Sequence, residues 1–307
     1  VRACFLNKNF DLIFSYQSSP ITMANAAVAM KKRTGKKLFL YCLDIWPECL
    51  KAWDIKEDSL LFKLMHRYSK HIYQSCDRIG ITSASFANYL IETNRVDADK
   101  ITYLPQHAED GQAIGVAEKS TGELINFAFG GNIGKVQDVE CIIRAVHRLA
   151  DVPDFKVHIY GNGSRLEECT ALVKELELEN KIHFYGQVSR EKLYDEYEKM
   201  DAFLLTLKPV GFVGSTIPGK LQEYMSLGKP IIAAIEGAAA QVMTAADCGL
   251  IGAASDDAAL AENMHKFILN PDAYRHLGEN AYVYYQHHFS KESFMSELDK
   301  NISALGL

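Results

Sequence analysis

A chain of 307 residues is long for one hydrophobic core, and its 48% hydrophobic and 23% charged residues can fill two. The formal net charge of −6 excludes a general nucleic-acid binder, which needs a basic face to neutralise phosphates, so an anionic ligand would have to be met locally. Seven cysteines without a CxxC pair argue against a disulfide framework or a zinc site, no apolar run approaches the ~20 residues of a membrane span, and no signal peptide is visible; the pattern is that of buried, reduced thiols in a cytoplasmic protein.

In chain order, the opening "VRACFLNKNFDLIFSYQSSP" starts on Val1, where a natural start would be Met, and is already approaching a strand, so an absent N-terminal portion is expected. "DLIFSY", a helix over 20–34, "KLFLYCL", a helix over 57–75, "DRIGITS", a helix over 84–93 and "KITYLP" then alternate, giving about four strands. Residues 106–123, "QHAEDGQAIGVAEKSTGE", are polar and aperiodic and read as a linker. From 124 onward the alternation is nearly unbroken: "LINFAFG" and "DVECIIRAVHRLA", with Ile142, Ile143, Val146 and Leu149 on one face, then "KVHIYG" and "RLEECTALVKELEL". "KIHFYG" and "REKLYDEYEKM", "DAFLLTL" and a short helix, "KPIIAAI" and "AAAQVMTAADCG" follow, and a last helix covers 290–305. The pattern implies an α/β protein of parallel sheets covered by helices, divided at 1–110, 111–289 and a terminal helix at 290–307.

Ligands of such sheets bind beyond the carboxyl ends of the strands. Three loops there are unusual: "GGNIGKVQD", in which Gly130, Gly131 and Gly134 permit close backbone approach and Lys135 adds charge; "GNGSR"; and "KPVGFVGSTIPG". Singly, the first two also suit ordinary turns, the second with Ser164 as a helix cap. The third runs into "GSTIPGKLQEYMSLGKPIIA", residues 214–233. There Thr216 or Ile217 would cap a helix, Pro218 suits its first turn, and Gly228 with Pro230 ends it. Lys220 and Glu223 fall on one face near the helix N-terminus, where N–H groups and the dipole favour an anion and a carboxylate could accept sugar hydroxyls. A surface Lys–Glu pair beside a cap explains this stretch alone equally well; the convergence of all three loops favours a nucleotide diphosphate site.

These segments resemble the retaining glycosyltransferases of the family 4 type, which have the GT-B fold of two facing Rossmann-like domains. The likeness covers most of the chain. "FAFGGNIGKVQDVECIIRAV", "VHIYGNGSRLEE", "IHFYGQVSREKLYDEYEKMDAFLL" and, most recognisably, "PGKLQEYMSLGKPIIA" carry it in the second half, and "DIWPE" at 44–48 resembles bacterial polysaccharide-building members. The resemblance implies an incomplete first domain on the acceptor side and a second domain that binds the donor, a UDP-sugar. Glu223 would hold the ribose, and Lys135 and Lys220 the diphosphate, with the N–H groups of Thr216 and Ile217. Gln187 and Val188 would read the base, and Gly131, Asn132, Gly134, Gly161 and Ser215 would complete the donor site. Asp44 would sit near the reacting sugar or the acceptor, although a capping Asp before Trp46-Pro47 is its plain alternative. Many members carry a glutamate eight residues before the position of Glu223; here that position is Ser215.

The implied reaction is sugar transfer with retention to a glycan or lipid-linked acceptor, as in surface polysaccharide or capsule synthesis. No cofactor or metal is implied, since the lysines and helix N-terminus would stabilise the leaving diphosphate. A nucleotide-sugar 2-epimerase of the same fold and a non-catalytic nucleotide-sugar-binding subunit remain alternatives. "KKRTGKK" at 31–37 and "FKLMHRYSKHIY" are solvated charge runs or contacts to anionic lipid at the inner face of the membrane. His107 reads as a polar linker residue, and His287 with His288 lack metal-ligand spacing.

Overall fold

The computed structural model of the chain describes residues 9–108, 123–209 and 216–307. Its contacts gather into two units. One takes in the chain up to Gln106 together with Thr216, Ile217 and Lys291–Leu307; the other comprises His107–Pro209 and Pro218–Ser290. Cys4, Ser215, Phe212 and most of the predicted linker lie outside the described residues.

The first unit is a four-stranded parallel sheet of β1 (Leu12–Gln17), β2 (Lys37–Cys42), β3 (Arg78–Ile81) and β4 (Ile101–Tyr103), in that spatial order. Its crossovers contain α1 (Asn25–Thr34), α2 (Leu60–Ser75) and α3 (Phe86–Glu92), each expected from sequence within a few residues. The strand residues Leu38, Leu40, Cys42, Ile79 and Ile81 alternate onto one face and pack with Ile72, Tyr73, Phe86 and Leu90 of the helices. The other face holds Phe39, Tyr41 and Leu104, and α11 (Lys291–Ser303) covers it. Phe294 meets Tyr41 edge-on at 5.6 Å, and the Arg78 guanidinium donates to Asn301 Oδ1 from Nε at 2.9 Å and from a terminal nitrogen at 2.6 Å.

The second unit is a six-stranded parallel sheet built from β5 (Ile125–Gly130), β6 (Phe155–Tyr160), β7 (Ile182–Gly186), β8 (Ala202–Thr206), β9 (Ile231–Ala234) and β10 (Gly249–Gly252). The spatial order is β10-β9-β8-β5-β6-β7, so the winding direction reverses between β5 and β8. That reversal opens a crevice at the carboxyl ends of those two strands, where doubly wound sheets take their ligands. The helices are α4 (Val139–Arg148), α5 (Leu166–Glu175), α6 (Arg190–Glu198), α7 (Gly219–Ser226), α8 (Gly237–Ala246), α9 (Asp257–Leu269) and α10 (Arg275–His288). Ile142, Ile143, Val146 and Leu149 of α4 and its C-terminal end are buried against Phe127, Val157 and Phe267, as their spacing requires.

Two helix starts differ from the sequence expectation. Pro218, not Thr216 or Ile217, occupies the N-cap of α7, and Arg165, not Ser164, precedes α5; neither start has a side-chain cap. Pro218 is extended, and its fixed φ directs the chain into the helix without a capping hydroxyl. The strand β10 was not foreseen, because "GLIG" offers two apolar residues and flanking glycines instead of a strand signature.

Candidate functional site

The loop after β5 rests on the loop after β6, backbone to backbone. Gly131 N–H donates to Tyr160 O at 2.9 Å, Ile133 N–H to Asn162 O at 2.9 Å, and Arg165 N–H to Ile133 O at 2.9 Å. Gly161 N–H continues the series to Gly186 O at 2.8 Å, tying in the loop after β7. Gly161 has φ +129°, and a Cβ there would lie 1.8 Å from Gly131 O; a Cβ on Gly163 would lie 2.3 Å from Ile133 O. The "GNGSR" glycines are therefore required by loop-on-loop contact, which an ordinary turn would not demand. Gly134 is small for a different reason: a Cβ would intrude at 2.7 Å on both Asn132 Nδ2 and Gln137 Oε1, which hydrogen-bond to each other at 3.1 Å.

Beside the stacked loops lies a cavity of about 290 Å³, lined by Gly131, Asn132, Tyr160, Gly161 and Asn162 together with Gln187, Val188 and Leu193. Five of the residues proposed from sequence thus share one concave surface. The buried Tyr160 hydroxyl has no hydrogen-bond partner among the described residues, and the sequence reading names neither it nor Leu193.

Lys220, the second residue of α7, reaches back to the loop after β5. Its ammonium is buried without a hydrogen-bond partner among the described residues and lies 3.6 Å from the centroid of the Phe129 ring. Both Cε and Nζ come within 3.2 Å of where a Gly131 Cβ would stand, and Gly131 has φ +125°. The absent side chain leaves the lysine room beside Gly131, which lines the cavity, although Lys220 and Glu223 are not themselves among the lining residues. Burial lowers the Lys220 pKa to about 7, with the nearby Glu223 carboxylate acting the other way. A buried ammonium held by one aromatic face and a carboxylate at a distance is under-neutralised, and an anion would restore its full charge.

Glu223 is half-buried on the same face of α7. It acts on the Tyr194 hydroxyl, which accepts a hydrogen bond from Arg190 at 3.2 Å. The adjacent Tyr224 faces inward: its hydroxyl accepts the Gly130 N–H at 2.8 Å and its ring stacks on Phe203 at 4.1 Å. Tyr224 therefore fixes the point at which the chain leaves β5, a role invisible in the motif "KLQEYM".

Lys135 is exposed and is not among the residues lining the cavity. Thr216 and Ile217 lead directly into α7 and group with the first unit, and Ser215 lies outside the described residues. Asp44 belongs to the first unit, on the loop after β2. It caps nothing there: the following 3-10 turn, Glu48–Trp53, has Pro47 at its N-cap and no side-chain cap. Instead Ser19 Oγ donates to Asp44 Oδ2 at 2.9 Å while accepting the Trp46 indole N–H at 3.1 Å. The Gln17 amide donates to Asp44 O at 3.2 Å. His107 Nδ1 donates to Ala108 O at 2.9 Å, and the His288 ring lies tilted against Tyr284, centroids 4.2 Å apart. Six described cysteines are free thiols, five of them buried. No helix among the described residues is long and apolar enough to cross a membrane.

Residues 116–284 match the family described as glycosyl transferases group 1. The "Probable glycosyltransferase WbjE" of Pseudomonas aeruginosa is 25% identical over 240 residues, which cover 74% of this chain and 58% of that protein. The "Mannosylfructose-phosphate synthase" of Agrobacterium fabrum is 26% identical over 260 residues, covering 76% and 56%. The chain thus spans a little over half the length of these curated relatives. Among solved structures, Anabaena Alr3699/HepE in complex with UDP superposes with a TM-score of 0.78 at 14% identity, covering 97% of this chain and 79% of that one. The fold is that of the GT-B glycosyltransferases.

Proposed function

The chain belongs to the glycosyl transferases group 1 family, and on that premise we propose that it transfers a sugar from a nucleotide diphosphate donor, a UDP-sugar, to a glycan or lipid-linked acceptor in bacterial surface polysaccharide synthesis. The observation that carries the reading is Lys220: a buried ammonium without a hydrogen-bond partner among the described residues, at the start of a helix and against Gly131, which lines the cavity.

In this reading the diphosphate lies over Gly131 and the N-terminus of α7, where backbone N–H groups and the Lys220 charge meet it. Glu223 accepts hydrogen bonds from ribose hydroxyls, and Gln187 and Val188 bound the base across the cavity. Lys135, Thr216, Ile217 and Ser215 add contacts to the phosphates and the transferred sugar in this reading. Gly134 contributes by admitting the Asn132–Gln137 hydrogen bond that shapes the loop.

Charge grows on the β-phosphate as the bond from the anomeric carbon to its phosphate oxygen breaks, so positive groups aimed there favour the transition state over the ground state. The acceptor hydroxyl forms the new bond on the face the diphosphate leaves, its proton passing to a departing phosphate oxygen, and configuration is retained. This route requires neither a protein nucleophile nor a metal ion. Asp44, held by Ser19, orients the acceptor hydroxyl.

Calorimetry with UDP on the chain and on Glu223→Ala tests the donor site. Loss of a charge-assisted hydrogen bond should weaken binding by about 1–3 kcal/mol, roughly 5- to 150-fold. No UDP binding to the intact chain would overturn the reading. Incubation with a UDP-sugar then separates the alternatives, since an epimerase makes a new UDP-sugar without acceptor and a binding subunit makes no product.

A further inference from the structure

Asp138 occupies the N-cap of α4, where an aspartate normally accepts the free N–H groups of the first turn, yet among the described residues it makes no side-chain cap. Its φ of +52° lies in the left-handed region, and its side chain is 1% exposed. The carboxylate is turned to other loops instead. Oδ2 accepts the Ser255 hydroxyl at 2.6 Å, and Oδ1 faces the Lys208 ammonium at 3.4 Å. A buried charge and a left-handed backbone both cost stability, and starting a helix requires neither.

Two residues further on, Glu140 repeats the pattern. It is buried, and its Oε1 accepts the Arg165 Nε–H at 2.8 Å and lies 2.8 Å from a terminal nitrogen of the same guanidinium. The partners arrive from three loops: Arg165 follows β6, Lys208 follows β8 and Ser255 follows β10. The start of α4 therefore gathers the loops that flank the crevice.

The gathering is closest between β5 and β8. These strands pair Phe127 with Ala202 and Ala128 with Phe203, and their loops meet again beyond the crevice. There Lys208 N–H donates to Val136 O at 2.8 Å and Thr206 Oγ to Gln137 O at 2.6 Å. Gln137 holds Asn132, which lines the cavity, through the 3.1 Å bond between their amides. Asp138 is the next residue, and its pairing with Lys208 fastens the same two loops side chain to side chain.

We propose that Asp138 is a positioning residue for the donor: its carboxylate pins Lys208, and with it the loop leaving β8, to the glycine-rich loop after β5, so that Gly131 and Asn132 meet the diphosphate already in place. This inference rests on the donor-site reading above. Preorganising a phosphate-binding loop lowers the ordering cost of binding, which accounts for a buried ion pair where a simple cap would serve the helix. Lys208 is then a strut between loops and not a phosphate ligand.

Affinities for UDP, by calorimetry, and for uridine, which lacks the diphosphate, by displacement of UDP, test this. In Asp138→Asn the amide tolerates the left-handed φ and still accepts from Ser255, while the charge facing Lys208 is lost. UDP affinity should fall roughly 10- to 100-fold and uridine affinity by less than about threefold. Lys208→Met should do the same, and the double variant should lose no more than either single one, because both remove one contact. Denaturant titration checks that each variant is folded; if Asp138→Asn is not, Lys208→Met carries the test, since its side chain is part-exposed. Equal losses for UDP and uridine, or none for either, would overturn the proposal by showing a structural ion pair. Additive losses, or tighter UDP binding by Asp138→Asn, would overturn it by making Lys208 a phosphate ligand in its own right. A parent chain that binds no UDP would overturn the donor-site reading itself, and this inference with it.

Discussion

Two buried lysines stand at opposite ends of one helical segment and answer the same problem differently. Lys229, just after α7, is almost wholly buried and donates to the carbonyl of Glu198 at 2.8 Å and to that of Met200. Lys220, in the first turn of α7, is buried at its ammonium and has no hydrogen-bond acceptor among the described residues. Lys229 is a clamp that ties the turn after α7 to the end of α6. Lys220 holds an unmet charge beside a glycine-lined cavity, which stability alone does not explain. The difference teaches that burial of a charge is not itself a functional sign; a missing partner next to open space is.

The largest effect that would sharpen this contrast is on ligand affinity. Lys220→Met should weaken UDP binding, or transfer where it can be assayed, by about 10²- to 10³-fold, while the melting temperature holds or rises because a buried unpaired charge has gone. Lys229→Met should do the reverse. Leaving two buried carbonyls unsatisfied should cost about 1–3 kcal/mol of folding stability by denaturant titration, with UDP affinity kept. If both variants behave alike, the distinction between clamp and ligand site is lost.

A pH titration follows. The Lys220 pKa is lowered to about 7 when the site is empty, and an anion favours the ammonium, so UDP affinity should be flat below pH 7 and fall by up to about tenfold per unit above it. Calorimetry at pH 8 in buffers of different ionisation heat should register proton uptake on binding, and Lys220→Met should abolish it. Over the same range the unfolded chain holds a proton that the folded one has released, so this group makes the ligand-free protein more stable as pH rises from about 7 towards the ordinary lysine value. The smallest expected effect lies in the first unit. Ser19→Ala removes one hydrogen bond to Asp44, worth about 1 kcal/mol, and should reduce acceptor use roughly fivefold with UDP affinity unchanged. Asp44→Asn with full transfer activity would remove Asp44 from the reaction.

Much of the architecture was legible because parallel sheets write themselves as alternating apolar runs. "LINFAFG", "KVHIYG" and "DAFLLTL" each became a central strand, and the α4 stripe of Ile142, Ile143 and Val146 became core. Edges were harder. β10 is short, glycine-bounded and half-exposed, so it lacks the continuous hydrophobicity of strands covered on both faces. Site residues divided in the same way. Gly131, Asn132, Gly161, Gln187 and Val188 could be named because glycines and loop position are local signals, and they line one cavity. Tyr160 and Leu193 were missed because an aromatic at a strand end or a leucine in a helix normally means core. Lys135, Lys220, Glu223 and Gly134 are not among the residues lining that cavity; Lys135 is exposed, whereas Lys220 reaches Gly131 from α7.

By itself the sequence determined the class of fold, the parallel alternation and the glycine-rich loops that meet at one cavity, since hydrophobic period and glycine placement act over a few residues. Only the tertiary structure decided that the order reverses between β5 and β8, that Gly161 is small because Gly131 O lies against it, and that Lys229 meets two carbonyls while the Lys220 ammonium meets no acceptor among the described residues. Those facts depend on which backbones and carbonyls arrive from distant parts of the chain. Desolvation and hydrogen-bond satisfaction are set by those neighbours in space, and a linear spacing cannot encode them.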